Sequence, residues 1–405
     1  MSKYKIINDP VHGFISITEP EIFSLIDHPY LQRLRQIAQM GLSYLVYPGA
    51  HHTRFQHALG AMYLMNKALD VLRQKGVDIS EEEKRAAMQA VLLHDVGHGP
   101  FSHALEYAII PRLHHEDMSR AVMHRLHAQR GGDLELAIQI FENRYSRHFF
   151  NALISGQLDT DRLDYLQRDS FYTGVVEGRI NAVRLIDMMY VVNDRLCIEE
   201  KGLYSVEKFI FSRRFMYWQV YMHKTSFMFE KLLAQALRRA KTLYREGQSI
   251  WLDDDLRYFF ESDFREITPE VIDHFMLLTD ADIWVHLKKW SRAEDFVLRL
   301  LASSIVYRRP FRVEIQKHKP EHLYLEEIKE RIFRSYKKHL KPEDLDYLIL
   351  DGTMHNKAYD PQHEPICIYT KKKELIEFSE LTDHHYIRNL SGDIVKYYLI
   401  YPKNL

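Results

Sequence analysis

The sequence predicts a mainly α-helical fold: a helical core over residues 1–300, opened by an extended arm over residues 1–20, and a smaller α+β region over residues 301–405. Three observations carry that reading. Apolar residues recur at helical spacing from Glu21 onward, and β-branched and aromatic residues at strand spacing cluster beyond Ser303. No low-complexity tract, fixed-period repeat or Pro/Gly/Ser-rich linker divides the chain further. At 405 residues the chain exceeds most single domains, so one large core with a smaller appended part is the expected plan.

The arm, KIINDPVHGFISITEP, alternates apolar and polar residues around Pro10 and Gly13, as a short hairpin does. Helical patterns follow in EIFSLIDHPYLQRLRQIAQ, HALGAMYLMNKALDVLRQ and, behind a capping box of Ser80 with Glu83, EEEKRAAMQAVLLHD. They continue through QLDTDRLDYLQRD, through the long VEKFIFSRRFMYWQVYMHKTSFMFEKLLAQALRRAKTLY, and through PEVIDHFMLL, which starts at Thr268-Pro269. Beyond Ser303, FRVEIQ, YLILD, PICIYT and VKYYLIYP read as strands interleaved with the helical HLYLEEIKERIFRSYKKHL. Those strands form either a separate part or edge hairpins on the same domain.

With 55 basic and 56 acidic residues, the chain has no global field to draw in nucleic acid or an anionic membrane. Nucleic acid is therefore not expected as an obligate partner. Two cysteines, Cys197 and Cys367, and an N-terminus without a secretory pattern point to a reducing, cytoplasmic compartment. No apolar run approaches the roughly 18 residues of a membrane span. Histidine is abundant, at 23 residues, which favours a site using groups that titrate near neutrality and bind borderline metals.

The stretch LLHDVGHGPFSHALE is either a metal and acid/base centre or a histidine-rich helix end. Three other stretches bear on the choice: HHTRFQHALG, LHHEDMS and LISGQLDTDRLDYLQRDS. With them the chain supplies His57, the His94-Asp95 doublet and Asp161, a mixed N/O set suited to a divalent ion (Mn, Fe, Zn or Mg) open to water and phosphate oxygens. Helical spacing puts Asp161, Tyr165 and Asp169 on one face, and Asp164 and Arg168 on an adjacent line as an ordinary i, i+4 ion pair. The same spacing aligns Arg213, Tyr217, Tyr221 and Lys224 as a wall for a phosphorylated ring compound, or as a solvated charge pair flanking two packed tyrosines. His51 and His52 read as surface residues, and His12 and His28 as packing or turn residues.

The order His57, His94-Asp95, Asp161 resembles the H…HD…D signature of HD-domain metal-dependent phosphohydrolases. The longer strings NDPVHGFI, LQRLRQI, YPGAHHTRFQHALG, HDVGHGPFSH and DRLDYLQRDSFYTG resemble the deoxynucleoside triphosphate triphosphohydrolase branch of that family, densely over roughly residues 4–225. The resemblance implies an HD-domain helical core, a divalent metal, and cleavage of a dNTP to deoxynucleoside and inorganic triphosphate. By the same resemblance, His57, His94, Asp95 and Asp161 match metal ligands, and His98, His103 and His115 match histidines lining the phosphates. His103 or His115 would be the general acid, with Asp161 or Asp95 also orienting the water. Arg54, Arg162, Arg213 and Lys224 match triphosphate contacts; the vertebrate members carry a lysine where Arg162 stands, a change of hydrogen-bond geometry at constant charge. Gln39 and Asp169 match residues that bind the sugar 3′-hydroxyl, and Met40 stands where a leucine packs on the sugar. Tyr221 matches the ring that excludes a 2′-hydroxyl, Tyr165 a neighbouring sugar and phosphate contact, and Tyr217 replaces a histidine.

Lys5, Asn8, Asp27, Gln32 and Arg35 coincide with residues of an allosteric nucleotide pocket at a subunit interface in the vertebrate members. This implies a nucleotide-regulated homo-oligomer, dimer or tetramer; the alternative is that LQRLRQI tops an amphipathic helix. The rival readings of the chain are an HD-type phosphodiesterase or signalling-nucleotide phosphohydrolase, a non-catalytic nucleotide sensor, and a single-strand nucleic-acid binder.

Overall fold

The computed structural model describes residues 5–101, 114–261, 264, 266–357, 359–361, 365–382 and 392–403. Strands β1 (Lys5–Asp9) and β2 (Gly13–Ile17) pair antiparallel, with Lys5 opposite Ile17. Asp9 closes the turn by accepting the backbone N–H groups of Val11 and His12, each at 2.9 Å. The single helical run expected from Glu21 is split into α1 (Pro20–Ile26) and α2 (Pro29–Arg33). Pro29 lacks an N–H and its ring excludes a continuing helix, so it serves as the first residue of a new one.

Helix α3 (Arg54–Gln74) is the centre of the core. It is buried around most of its circumference and packs on α4 (Glu81–Leu93) and α8 (Thr160–Thr173). Gln56 caps the start of α3 by accepting from the Thr53 backbone at 2.9 Å, and the expected Ser80–Glu83 box opens α4. Helices α5 (His115–Gln129), α6 (Glu135–Phe141) and α7 (Phe149–Ser155) lie between α4 and α8, and α9 (Ala182–Asp187) follows.

Two strands then appear inside the part of the chain expected to be a helical core: β3 (Met189–Val192) and β4 (Arg195–Glu199). They are joined by Asn193 and Asp194, both at positive φ, the two-residue turn whose twist matches a hairpin. The long helical run after them is also interrupted. Helix α10 (Leu203–Met216) widens into a π-turn at Tyr217–Tyr221, and α11 (Lys224–Arg245) restarts behind the N-cap His223. Helices α12 (Asp254–Glu261), α13 (Pro269–Leu277), α14 (Asp280–Trp290) and α15 (Phe296–Val306) complete the helical part, with Thr268 capping α13 as expected.

The C-terminal region carries β5 (Arg312–Gln316), α16 (His322–Tyr336), α17 (Leu345–Leu348), β6 (Leu350–Asn356), β7 (Cys367–Tyr369), β8 (Leu375–Glu377), α18 (Phe378–Leu381) and β9 (Ile394–Tyr401). One sheet has the order β5-β9-β6 and is antiparallel; another has the order β3-β4-β7-β8. Because β7 pairs parallel to β4, with Cys367 opposite Cys197, the mixed region shares a sheet with the helical part. Among the described residues no helix is long and apolar enough to cross a membrane.

Candidate metal and phosphate site

His57 lies in the first turn of α3, His94 caps the C-terminus of α4, and Asp161 lies in the first turn of α8. The packing of α3 on α4 and α8 brings one ligand atom of each within 4.8 Å of the others. The Asp161 carboxylate stands 3.0 Å from His57 Nε2 and 3.6 Å from His94 Nε2. Both Nε2 atoms are buried and have no partner of hydrogen-bonding geometry. Each ring is fixed from behind: His57 Nδ1 donates to Asp164 at 2.8 Å and His94 Nδ1 to the Val91 carbonyl at 2.6 Å. With each Nδ1–H engaged behind, Nε2 is the atom that faces the centre, and a cation binding there would take the place of the proton that Asp161 favours. Two imidazoles and a carboxylate, with no thiolate, fit a divalent cation with open coordination positions.

Asp95 sits beside this cluster, 3.3 Å from His94 Nε2 and 3.8 Å from His57 Nε2, and it also meets Arg54 at 2.6 Å and His98 Nε2 at 3.2 Å. Burial opposes its ionisation, but His94, His98 and Arg54 hold its carboxyl well below the usual range. For His57, burial disfavours the charged ring, yet Asp161 and Asp164 outweigh it and carry the pKa up to about 10. Burial and the Arg54 cation push His98 down to about 3, so it stands as a neutral ring. His115 stacks on His98 with centroids 3.9 Å apart.

That stack depends on Gly97. A Cβ there would meet Ser119 N at 2.2 Å and the His115 carbonyl at 2.4 Å, so glycine lets the loop after His94 touch the start of α5. Ser119 seals the contact, donating to the His94 carbonyl at 2.7 Å and accepting from Gly97 N at 2.9 Å. His103 lies outside the described residues.

Along α8, Asp161, Tyr165 and Asp169 share a face. The Tyr165 ring is 6.5 Å from His57 and 6.1 Å from Tyr221, and Asp169 accepts the Tyr221 hydroxyl at 2.6 Å. Burial, together with Asp169, raises the Tyr221 phenol well above its ordinary pKa. The π-turn sets Tyr217 and Tyr221 5.3 Å apart, with the Arg213 guanidinium 5.8 Å from the Tyr217 ring. The expected straight face from Arg213 to Lys224 is therefore bent, and Lys224 is exposed at the start of α11. Arg213 donates to Gln157 at 3.0 Å, and Arg162 donates to Asp159 and to the Gly156 carbonyl, so both cations rest on one loop. Behind that loop lies a cavity of about 370 Å³ lined by Phe149, Leu158, Arg195 and both cysteines, apart from the metal cluster.

Gln39 has its backbone N–H bonded to the His52 carbonyl at 3.0 Å and its Oε1 buried without a hydrogen-bond partner. Met40 is 6% exposed. His52 is not a surface residue: it is 1% exposed, and its Nε2 bonds Asp169 at 2.6 Å. His51 is exposed, and His28 caps α2. The Asp164–Arg168 pair forms as expected, but fully buried, and it involves His12, whose Nε2 reaches Asp164 at 2.6 Å. Reading His12 as a packing or turn residue missed that bond. Lys5 lies 3.5 Å from Asp27 and 3.2 Å from the centre of the Phe23 ring. Gln32 bonds the Ile26 carbonyl at 2.7 Å and accepts from Arg35 at 2.7 Å; Asn8 is exposed on β1.

A profile of the HD domain matches residues 54–169, and one of the HD associated region matches residues 180–261. The chain is 31% identical over its whole length to an uncharacterized Bacillus subtilis protein, YwfO, of which it covers 94%. It is 32% identical over 255 residues to the Dictyostelium discoideum homolog of the deoxynucleoside triphosphate triphosphohydrolase SAMHD1. That match takes 58% of this chain and 49% of the relative, so the chain spans about half the length of that relative. Among solved structures, a phosphohydrolase from Bacteroides thetaiotaomicron superposes with a TM-score of 0.95 at 43% identity, over 99% of this chain and 100% of that one.

Proposed function

The chain belongs to the HD-domain family of phosphohydrolases, and from that premise we propose that it hydrolyses deoxynucleoside triphosphates to deoxynucleoside and inorganic triphosphate. The observation that carries this reading is a polar wall beside the metal cluster. Asp169 is held there by His52 and Tyr221, and Gln39, whose backbone N–H binds the His52 carbonyl, has a buried Oε1 that lacks a hydrogen-bond partner. Such a wall serves a sugar hydroxyl, because a buried unpaired acceptor costs free energy until a ligand donor meets it.

His57, His94 and Asp161, with Asp95 alongside, would hold a divalent cation, manganese among the candidates. When bound, the cation supplies positive charge at the phosphoryl group and acidifies water. The chain's own residues account for the rest. Arg54, Arg162, Arg213 and Lys224 spread the charge of the departing triphosphate; Arg162 reaches it by leaving Asp159 and the Gly156 carbonyl. Water oxygen bonds to the α-phosphorus and loses a proton to solvent, the bond from phosphorus to the 5′-oxygen breaks, and the 5′-oxygen takes a proton from a histidine, which solvent then reprotonates. His115 is the donor we assign among the described residues, with His103 the alternative, because His98 is too weakly basic to arrive protonated. Tyr165 and Met40 line the sugar, and Tyr221 closes the space a 2′-hydroxyl would need. We further read the Lys5, Asn8, Asp27, Gln32 and Arg35 region as a nucleotide-responsive face of a cytoplasmic homo-oligomer.

The deciding experiment is chromatography of products from each dNTP and NTP with Mn, Mg, Fe or Zn. Deoxynucleoside with triphosphate is expected. Orthophosphate or a nucleoside monophosphate would replace this reading with that of an HD-type phosphodiesterase or signalling-nucleotide phosphohydrolase.

A further inference from the structure

The imidazole of His57 is not fixed by its own helix but by a buried network that begins in the N-terminal hairpin. Asp164 accepts His57 Nδ1–H at 2.8 Å on one oxygen and His12 Nε2–H at 2.6 Å on the other. Arg168 holds the same carboxylate with two bonds of 2.9 Å, and its remaining reach is to Asp9 at 2.8 Å. Asp9 in turn shapes the hairpin turn by accepting the N–H groups of Val11 and His12. The side chains of Asp164 and Arg168 are 0% exposed, Asp9 4% and His12 6%. The Asp164 carboxylate that accepts Nδ1–H increases the basicity of Nε2. Burial resists ionisation of Asp164, but Arg168, His12 and His57 hold its pKa well below the ordinary value.

The backbone is cut to fit the network. Gly60, one turn along α3 from His57, faces the carboxylate so closely that a Cβ would lie 1.9 Å from Asp164 Oδ1 and 2.4 Å from an Arg168 nitrogen. His12 and Asp164 are 152 residues apart in sequence, so the contact is made by the fold and not by local structure.

We infer that the hairpin turn sets the metal affinity of the centre, with His12 and Asp164 as positioning residues that orient His57. This rests on His57 being a metal ligand and is independent of which substrate is hydrolysed. The test is direct titration of the full-length protein with Mn²⁺, bound and free ion being resolved by electron paramagnetic resonance, without nucleotide. His12→Phe keeps a ring beside Tyr63 but removes the donor, and should weaken Mn²⁺ binding about 10-fold to 100-fold. His12→Gln, which restores an N–H toward Asp164, should recover most of that loss; a merely structural role for His12 would not distinguish the two by metal affinity. Gly60→Ala, which displaces the carboxylate without touching any ligand, should weaken binding by a similar factor and covers the case in which His12→Phe does not fold. Wild-type affinity in folded His12→Phe or Gly60→Ala overturns the inference. So does a wild-type protein that binds no Mn²⁺, a result that would also remove the metal reading, whereas failure to hydrolyse dNTPs would remove the substrate reading alone.

Discussion

Tyr221 and Asp169 meet at 2.6 Å, the phenol donating to one carboxylate oxygen while His52 holds the other at 2.6 Å. The two donors fix the carboxylate of a residue only 1% exposed, so its remaining lone pairs have set directions. Tyr221 thus has two separable properties, a hydroxyl that orients Asp169 and a ring that fills space. Tyr221→Phe should raise KM for dNTPs roughly 3-fold to 10-fold, about the worth of one neutral hydrogen bond, and leave NTPs unused. Tyr221→Ala should raise the ratio of NTP to dNTP kcat/KM at least about 10-fold. Unchanged discrimination in Tyr221→Ala, measured by product chromatography, would remove Tyr221 from the sugar wall.

Arg54 and Asp95, 2.6 Å apart, bind each other beside the metal cluster. Asp95→Ala deletes a carboxylate at the centre and leaves a buried guanidinium without that partner, so turnover should fall by at least about 10³-fold. Substantial residual hydrolysis in metal-replete buffer, with the variant folded by circular dichroism, would sink the scheme.

How far the site could be read from the chain follows from the reach of each contact. His57, His94, Asp95 and Asp161 are legible because order and motif carry them, and Asp161, Tyr165 and Asp169 because one helix period does. His52 and His12 are not, since their carboxylate partners lie 117 and 152 residues away and nothing local marks either ring as buried. The β3–β4 hairpin was hidden among helical patterns, although its Asn193-Asp194 pair is a recognisable turn signal. The π-turn at Tyr217–Tyr221 has neither Pro nor Gly to announce it, and it alone changes which side chains share the face beyond Arg213.

Asp280 ties two loops of the site together, accepting Ala38 N at 2.8 Å and Phe101 N at 3.0 Å. Burial raises its pKa to about 6, against the opposing pull of those two N–H groups, Arg54 and Arg33. A carboxyl with a raised folded pKa favours the fold most when protonated in both states, below its unfolded value near 4; the benefit is lost as pH rises through 6. Denaturant titrations at pH 4 and pH 7 should therefore show the stability advantage of wild type over Asp280→Asn shrinking by about 2–3 kcal/mol at the higher pH. A difference that stays constant between the two would mean the carboxyl is ionised throughout.

Chelation should destabilise the protein even when no substrate is present. His57, His94 and Asp161 come from α3, α4 and α8, so a cation held by all three adds a link between helices that also meet through apolar packing and the His57–Asp164 bond. A ligand that binds the folded state alone adds about 2.7 kcal/mol at 100 times its Kd. For a chain of this size that corresponds to a rise in Tm of roughly 3 °C with Mn²⁺ over EDTA. The imidazoles must be neutral to ligate, so protons compete with the ion and the increment should shrink as pH falls from 8 toward 6. His94→Ala removes one ligand and should abolish the increment without lowering Tm in EDTA by a comparable amount. Equal Tm values in Mn²⁺ and EDTA for the wild type, measured by scanning calorimetry, would show that no cation links the three helices.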